Sequence, residues 1–173
     1  MEMIRAGPVG ETSSYTDTHW DEKGNTMISH IFVSFTYSRI ISIQFGYIEN
    51  GALVMSAKYG GDSNGRSFRV VKLKHNEYVT GLSGCRVINS RLSRCEGINS
   101  LTFYTNLGKH GSICEPAVTK YVTNIKTEID LAICDRREFG GFFGSCNKYN
   151  LTSIGIYVNP IPSSNTAVKR ENV

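Results

Sequence analysis

Apolar and polar residues alternate along much of this chain, and one alternating motif occurs three times. Ile41-Ser42-Ile43-Gln44-Phe45-Gly46-Tyr47 is echoed by Asn99-Ser100-Leu101-Thr102-Phe103-Tyr104, and again by Thr152-Ser153-Ile154-Gly155-Ile156-Tyr157. Each copy sets its apolar residues at every second position, the period that sends them to one face of a strand. Its return at Ser42, Ser100 and Ser153 predicts an all-β body of three like units around one core. Such a body points away from an enzyme with one grafted site and toward a symmetric scaffold that displays loops.

The same alternation predicts strands over 28–34, 41–48, 52–57, 98–104 and 151–158. Asn50-Gly51 is a hairpin signal, because both residues tolerate the positive φ of a tight turn. Segments 70–73 and 78–82 are expected to pair around 74–77, and strands are expected at 129–133 and 139–143. Residues 1–27 are polar, with Trp20 their only large anchor, and read as an extended lead-in with a loop. Residues 84–97 lack periodicity and read as a loop; 106–120 are turn-rich. No stretch sustains a capped helical period. One domain is expected over 1–160, with Pro160 and Pro162 ending the last strand and 161–173 forming a disordered tail.

Composition narrows the function. At 173 residues, 40% hydrophobic and 20% charged, the chain is one ordinary globular domain. The net charge of +4 comes from 19 basic and 15 acidic residues that are scattered rather than striped, so no nucleic-acid partner is expected. No apolar run approaches the roughly 20 residues that cross a bilayer, and the first residues lack the apolar centre of a secretory signal. The expectation is a cytoplasmic protein without membrane contact. Cys85, Cys95, Cys114, Cys134 and Cys146 make an odd set without CxxC spacing, as free thiols in a reducing compartment do. Cys134, after Leu131-Ala132-Ile133, reads as a small core residue, and the sequon Asn150-Leu151-Thr152 is silent in that compartment.

Candidate chemistry is sparse. His19, His30, His75 and His110 have no metal-type spacing, so neither metal nor cofactor is expected. No glycine-framed nucleophile accompanies a Cys–His pair. Asp130, Asp135 and Glu138 read as solvated charges at a turn rather than paired acid and base. Gly60-Gly61-Asp62-Ser63-Asn64-Gly65 lacks the lysine and following helix of a phosphate-binding loop. No catalytic constellation emerges, and an enzyme is not expected. Glycine-rich loops at strand ends remain. They either serve tight turns or bring backbone donors close to a sugar.

Seven segments in order resemble the jacalin-related plant lectins. They are Gly7-Pro8-Val9-Gly10, Ile41-Ser42-Ile43-Gln44-Phe45, Lys58-Tyr59-Gly60-Gly61, Glu77-Tyr78-Val79-Thr80-Gly81-Leu82-Ser83-Gly84, Ser100-Leu101-Thr102-Phe103-Tyr104-Thr105-Asn106, Gly140-Gly141-Phe142-Phe143-Gly144 and Ser153-Ile154-Gly155-Ile156-Tyr157-Val158-Asn159-Pro160. The resemblance covers about 4–160. It implies a β-prism I fold of three four-stranded Greek-key sheets with pseudo-threefold symmetry, in the single-chain, cytoplasmic mannose/glucose-type branch. Gly7-Pro8-Val9-Gly10, Trp20-Asp21-Glu22 and Ile41-Ser42-Ile43-Gln44-Phe45 also resemble a crucifer jacalin-type protein that restricts long-distance potyvirus movement, which implies a role in plant defence.

The family's sugar site joins an N-terminal Gly-Gly loop to a Gly-x-x-x-Asp loop before the last strand. By resemblance the first maps onto Gly10-Glu11, with the second glycine replaced. The second maps onto Asn147-Lys148-Tyr149-Asn150-Leu151-Thr152 with one extra residue, so Thr152 holds the aspartate position and Asn147 or Lys148 the glycine position. A second, pseudo-symmetric site keeps Gly60-Gly61, but its facing loop Ser34-Phe35-Thr36-Tyr37-Ser38 offers no carboxylate. Millimolar monosaccharide binding rests on only about 4 kcal/mol. A hydrogen bond to a charged group contributes roughly 1.5–3 kcal/mol, so losing the carboxylate predicts a degenerate site. Two functions follow. One is a lectin for mannose/glucose-type glycans, with Tyr149 stacking on the sugar and Asn147 or Asn150 supplying amide contacts. The other is a non-catalytic module that binds protein partners and restricts virus movement. In either case the resemblance implies a homo-oligomer.

Overall fold

A computed structural model describes residues 2–12, 16–62, 67–89, 94–114 and 122–161. Thirteen strands follow in order: β1 (Ile4–Gly10), β2 (Thr18–Asp21), β3 (Ile28–Phe35), β4 (Ile40–Glu49), β5 (Ala52–Met55), β6 (Tyr59–Gly60), β7 (Ser67–Lys72), β8 (Val79–Asn89), β9 (Arg94–Thr105), β10 (Gly108–Ile113), β11 (Val122–Asp130), β12 (Phe139–Cys146) and β13 (Leu151–Val158). A single 3-10 turn, Arg136–Glu138, is the one helical piece among the described residues. Of the tail expected from 161 onward, only Ile161 lies within the described residues.

The strands form three antiparallel sheets with one connection pattern. Their orders are β1-β13-β12-β2, β5-β4-β3-β7 and β10-β9-β8-β11. Each is a central hairpin with one outer strand on either side. In the second sheet β6 also pairs with β4. Since β3 occupies the other flank of β4, β5 and β6 share one edge and the sheet stays four strands wide. Ser56 interrupts that edge: its N–H donates to Phe45 O at 2.8 Å, and its Oγ accepts from Phe45 N at 2.9 Å.

The threefold echo lies where the topology is threefold. Its copies lie on β4, β9 and β13, the second strand of each sheet order. The side chains of Ile43, Phe45, Leu101, Phe103, Ile154 and Ile156 are fully buried. One phenylalanine from each sheet meets at the centre. Phe142 of β12 stacks on Phe45 at 5.1 Å and meets Phe103 edge-on at 5.9 Å, spacings at which aromatic pairs attract.

Where the expectations fail, the missing information is a partner distant in sequence. The polar lead-in forms β1 and β2, because β13 and β12 supply their ladders: Gly10 lies opposite Ser153, and Trp20 opposite Gly144. Segments 70–73 and 78–82 do not pair with each other. β7 joins β3, while β8 joins β9 and β11 in another sheet. Between them 74–77 is a corner closed by the Glu77 carboxylate, which accepts the Lys74 N–H at 2.9 Å. Of the loop expected over 84–97, residues 84–89 and 94–97 instead lie on the paired strands β8 and β9, while 90–93 lie outside the described residues; the turn-rich 106–120 contains β10, and its last six residues lie outside the described residues. β11 stops at Asp130, whose Oδ1 accepts the Ala132 N–H at 3.0 Å, so 131–133 is not strand. Cys134 is exposed rather than in the core; its loop position lets the thiol donate to Ala132 O at 3.2 Å.

Candidate functional site

Two glycine corners occupy equivalent places in two sheets. Gly10, at φ +85°, lies opposite Ser153, and the following N–H, of Glu11, donates to Thr152 O at 3.1 Å. Gly60, at φ +127°, lies opposite Ser42, and the following N–H, of Gly61, donates to Ile41 O at 2.9 Å. Ser42 and Ser153 are the matching serines of the sequence echo, so the corners are related by the pseudo-symmetry. A Cβ on Gly10 would collide with Thr152 O, and one on Gly60 with Ile41 O. Glycine is demanded twice over, by backbone angle and by space.

The loop 147–150 stands beside the second corner and leads into β13, which pairs with the first. Asn147 Oδ1 accepts the N–H groups of Tyr149 at 2.8 Å and Asn150 at 3.0 Å, an Asx turn that fixes the loop. Asn150 is buried, and its Nδ2 donates to Leu151 O at 3.3 Å. Tyr149 is 61% exposed, and the Lys148 ammonium lies 5.0 Å from its ring centroid. The bare Cα of Gly61 faces Tyr149 O so closely that a Cβ would clash, and Asp62 N–H reaches Lys148 O at 3.4 Å. The Gly60-Gly61 corner therefore rests on the 147–150 loop and belongs to one surface with it.

At the position the resemblance gives to aspartate, the Thr152 side chain points inward. Thr152 is 5% exposed; its hydroxyl donates to Asp17 Oδ2 at 2.8 Å and lies 2.7 Å from Ser145 Oγ. Ser145 in turn lies 2.5 Å from Ser153 Oγ and 3.1 Å from Thr12 Oγ1. A carboxylate thus does reach this place, but from the segment before β2. Nothing local in Thr16-Asp17-Thr18 signals it, since its partner lies 135 residues away. Glu11 is ion-paired with Arg86 of β8. Burial pushes the Cys146 thiol up, against the opposing pull of the Gly60 N–H. Among the described residues no group of His, Cys, Asp and Glu could hold a metal ion, and no helix is long and apolar enough to cross a membrane.

Three Greek-key sheets closed around one axis, two of them ending in equivalent glycine corners, define a β-prism of the lectin kind. The jacalin-like lectin domain family model matches residues 6–157, and the chain belongs to that family. Jacalin-related lectin 24 of Arabidopsis thaliana is 48% identical over 163 residues, which cover 92% of this chain and 69% of that relative. Jacalin-related lectin 25 is 42% identical over 99% of this chain, which spans only 63% of that relative's length. Protein RESTRICTED TEV MOVEMENT 1, also from Arabidopsis thaliana, is 35% identical over 91% of this chain and 87% of its own. Among solved structures, an artocarpin–mannotriose complex has the same fold, with a TM-score of 0.68 at 22% identity, covering 92% of this chain and 99% of that one.

Proposed function

We propose that this chain is a non-catalytic carbohydrate-binding domain of plant defence whose mannose/glucose-type site is degenerate. The observation that carries the proposal is the inward-turned Thr152 hydroxyl, already hydrogen-bonded to Asp17 and Ser145. A ligand would have to displace these buried bonds, so simple hexoses bind weakly. Recognition falls instead on Gly10, Glu11, Asn147, Lys148, Tyr149, Asn150 and the adjoining Gly60-Gly61 corner. Tyr149 is the exposed platform for a sugar face. Asn147 and Asn150 hold that platform: Asn147 Oδ1 accepts the N–H groups of Tyr149 and Asn150, and Asn150 Nδ2 donates to Leu151 O. The free thiols of Cys85, Cys114, Cys134 and Cys146 fit a cytoplasmic setting.

Calorimetric titration with mannose, glucose and oligomannose tests this reading. The expected result is no resolvable monosaccharide heat, with measurable binding of an extended glycan that Tyr149→Ala abolishes. Monosaccharide binding of ordinary lectin strength would overturn the degenerate site.

Similarity to the protein named for restricted virus movement favours a second reading, docking of a protein partner. A pull-down in excess free mannose separates the two: partners that persist support protein recognition, and partners displaced by sugar support the lectin.

A further inference from the structure

The sheet β10-β9-β8-β11 carries a hollow on its outer face. Leu82, Leu101 and Phe103 are fully buried, so the residues that alternate with them in β8 and β9 turn outward. Ser83 lies opposite Thr102, Tyr104 opposite Lys109 of β10, and Lys126 of β11 opposite Cys85, which itself faces Ser100. Ser83, Ser100, Thr102, Tyr104, Lys109 and Lys126 line a space of about 200 Å³. Hydroxyls form its floor, and one ammonium comes from each edge strand of the sheet. The hollow shares no residue with the glycine corners or with the 147–150 loop.

What this hollow offers is protons. Ser83 is 3% exposed, and its Oγ lies 3.1 Å from the Tyr104 hydroxyl. Two hydroxyls use one proton between them, so the other is left to donate. Ser100 Oγ accepts the Cys85 N–H at 3.3 Å and keeps its own proton. Neither the Thr102 hydroxyl nor the Lys109 ammonium has a partner among the described residues. A Cβ on Gly111 would stand 2.8 Å from Thr102 Oγ1, so glycine there leaves that hydroxyl uncovered. No carboxylate and no side-chain amide lines the space. A neutral sugar needs acceptors for its own hydroxyl protons, and gains nothing from two positive charges. A ligand that is negatively charged and only accepts matches the set. Lysines act as point charges, without the planar fork that arginine presents to a carboxylate. Donors converging from two sides and from the floor suit a tetrahedral oxyanion.

Charges on this face are sorted about Tyr104. Its other side borders a separate hollow of about 230 Å³, lined by Glu128 and Asp130. At the boundary Lys126 Nζ lies 3.8 Å from Glu128 Oε2. Both side chains are largely exposed, so the pair is weak and its ammonium can turn to a ligand. Sites that enclose a drug-sized ligand run to roughly 300–1,000 Å³. The basic hollow is smaller, and takes one anionic group rather than an oligosaccharide.

We propose that this hollow binds a tetrahedral oxyanion, phosphate or sulfate, as the free ion or as a monoester on a larger molecule. Lys109 and Lys126 hold the charge, while Thr102, Ser100 and the Ser83–Tyr104 pair donate to its oxygens.

Amide NMR titration of the full chain with inorganic phosphate, inorganic sulfate and glucose 6-phosphate tests the proposal apart from the sugar site, with glucose as the neutral control. Saturable shifts of the Ser83, Ser100 and Thr102 amides are expected at millimolar anion, and none with glucose. Lys109→Ala and Lys126→Ala, both at exposed positions, are each expected to weaken binding about tenfold. Thr102→Val keeps both charges and the side-chain shape; it is expected to weaken binding about threefold or more, a loss that diffuse attraction to surface lysines would not show. Glu128→Gln is expected to tighten binding about twofold, and Glu49→Gln on another sheet to leave it unchanged. Phosphate bound as tightly as glucose 6-phosphate marks the free ion as the ligand, and a tighter monoester marks an esterified group; both support the site. Shifts that are absent or never saturate, or binding indifferent to K109A or to T102V, would overturn it.

Discussion

Thr152 shows how one residue alters the chemistry of a site without altering its fold. As a strand residue it keeps its ladder, with its carbonyl accepting the Glu11 N–H, while its hydroxyl joins a buried chain with Asp17 and Ser145. Thr152→Val leaves those two groups short of a partner and is expected to cost about 1–3 kcal/mol in urea denaturation. Thr152→Asp sets a second carboxylate against that of Asp17 in a buried place. It is expected to destabilise further and bind no mannose until Asp17→Asn removes the repulsion; mannose titration of single and double variants checks this. Glu77 is a buried carboxylate of another kind. Burial pushes its pKa up, but hydrogen bonds with His110 at 2.7 Å, the Lys74 N–H and Thr105 outweigh that and hold it below the usual carboxylate value. A carboxyl lowered by folding stabilises the native state above its unfolded pKa of ~4.3 and loses that contribution as pH falls toward the folded value. Thermal unfolding from neutral to acid pH should therefore show a steeper fall for wild type than for Glu77→Gln.

At the scale of elements, the sequence was legible wherever an alternating strand has its partner next to it in the chain. The last strand, 151–158, was read at its observed bounds, and the β4–β5 hairpin was read from Asn50-Gly51. Both turn residues take positive φ, +50° and +78°, as a type I′ turn requires. β1, β2 and β10 were not legible, because edge strands half in water show little apolar alternation and owe their form to β13, β12 and β9. The false pairing of 70–73 with 78–82 has the same origin: proximity in sequence suggested a hairpin where the chain turns a corner between sheets. The candidate loops were legible as glycines and polar residues, but Asp17 was not, for its role exists only in the fold. Gly51→Val forces a β-branched residue into the left-handed region at about 1–2 kcal/mol. The fraying should be local. Hydrogen exchange of the Ala52 and Val54 amides, which face β4, is expected to accelerate while that of β9 and β13 is unchanged.

For the whole molecule, symmetry organises the interior more strictly than the surface. Tyr47 and Thr105 each lie two residues beyond a central phenylalanine, Phe45 or Phe103, and each donates to a buried carboxylate. Tyr47 donates to Glu22 at 3.1 Å and Thr105 to Glu77 at 2.7 Å. Glu22 also accepts from Tyr59 and Asn25, which ties the loop after β2 to the second sheet; burial and the Glu22 charge push both tyrosine hydroxyls far up. At the third equivalent place stands Val158, so the polar latch is kept in two sheets and the apolar centre in all three. That centre is where the three sheets depend on one another. Phe142 touches Phe45, Phe103 and Phe139, one ring bridging all three sheets. Phe142→Ala removes contacts with each of them at once, and is expected to cost about 3–5 kcal/mol. A core residue of a single sheet, Val71→Ala, should cost less, because only its own neighbours lose packing. If the sheets are one cooperative unit, Phe142→Ala lowers the urea midpoint seen by Trp20 fluorescence and by far-ultraviolet dichroism equally. Separation of the two transitions would show that the sheets fold as independent parts held by loops rather than by their shared aromatic axis.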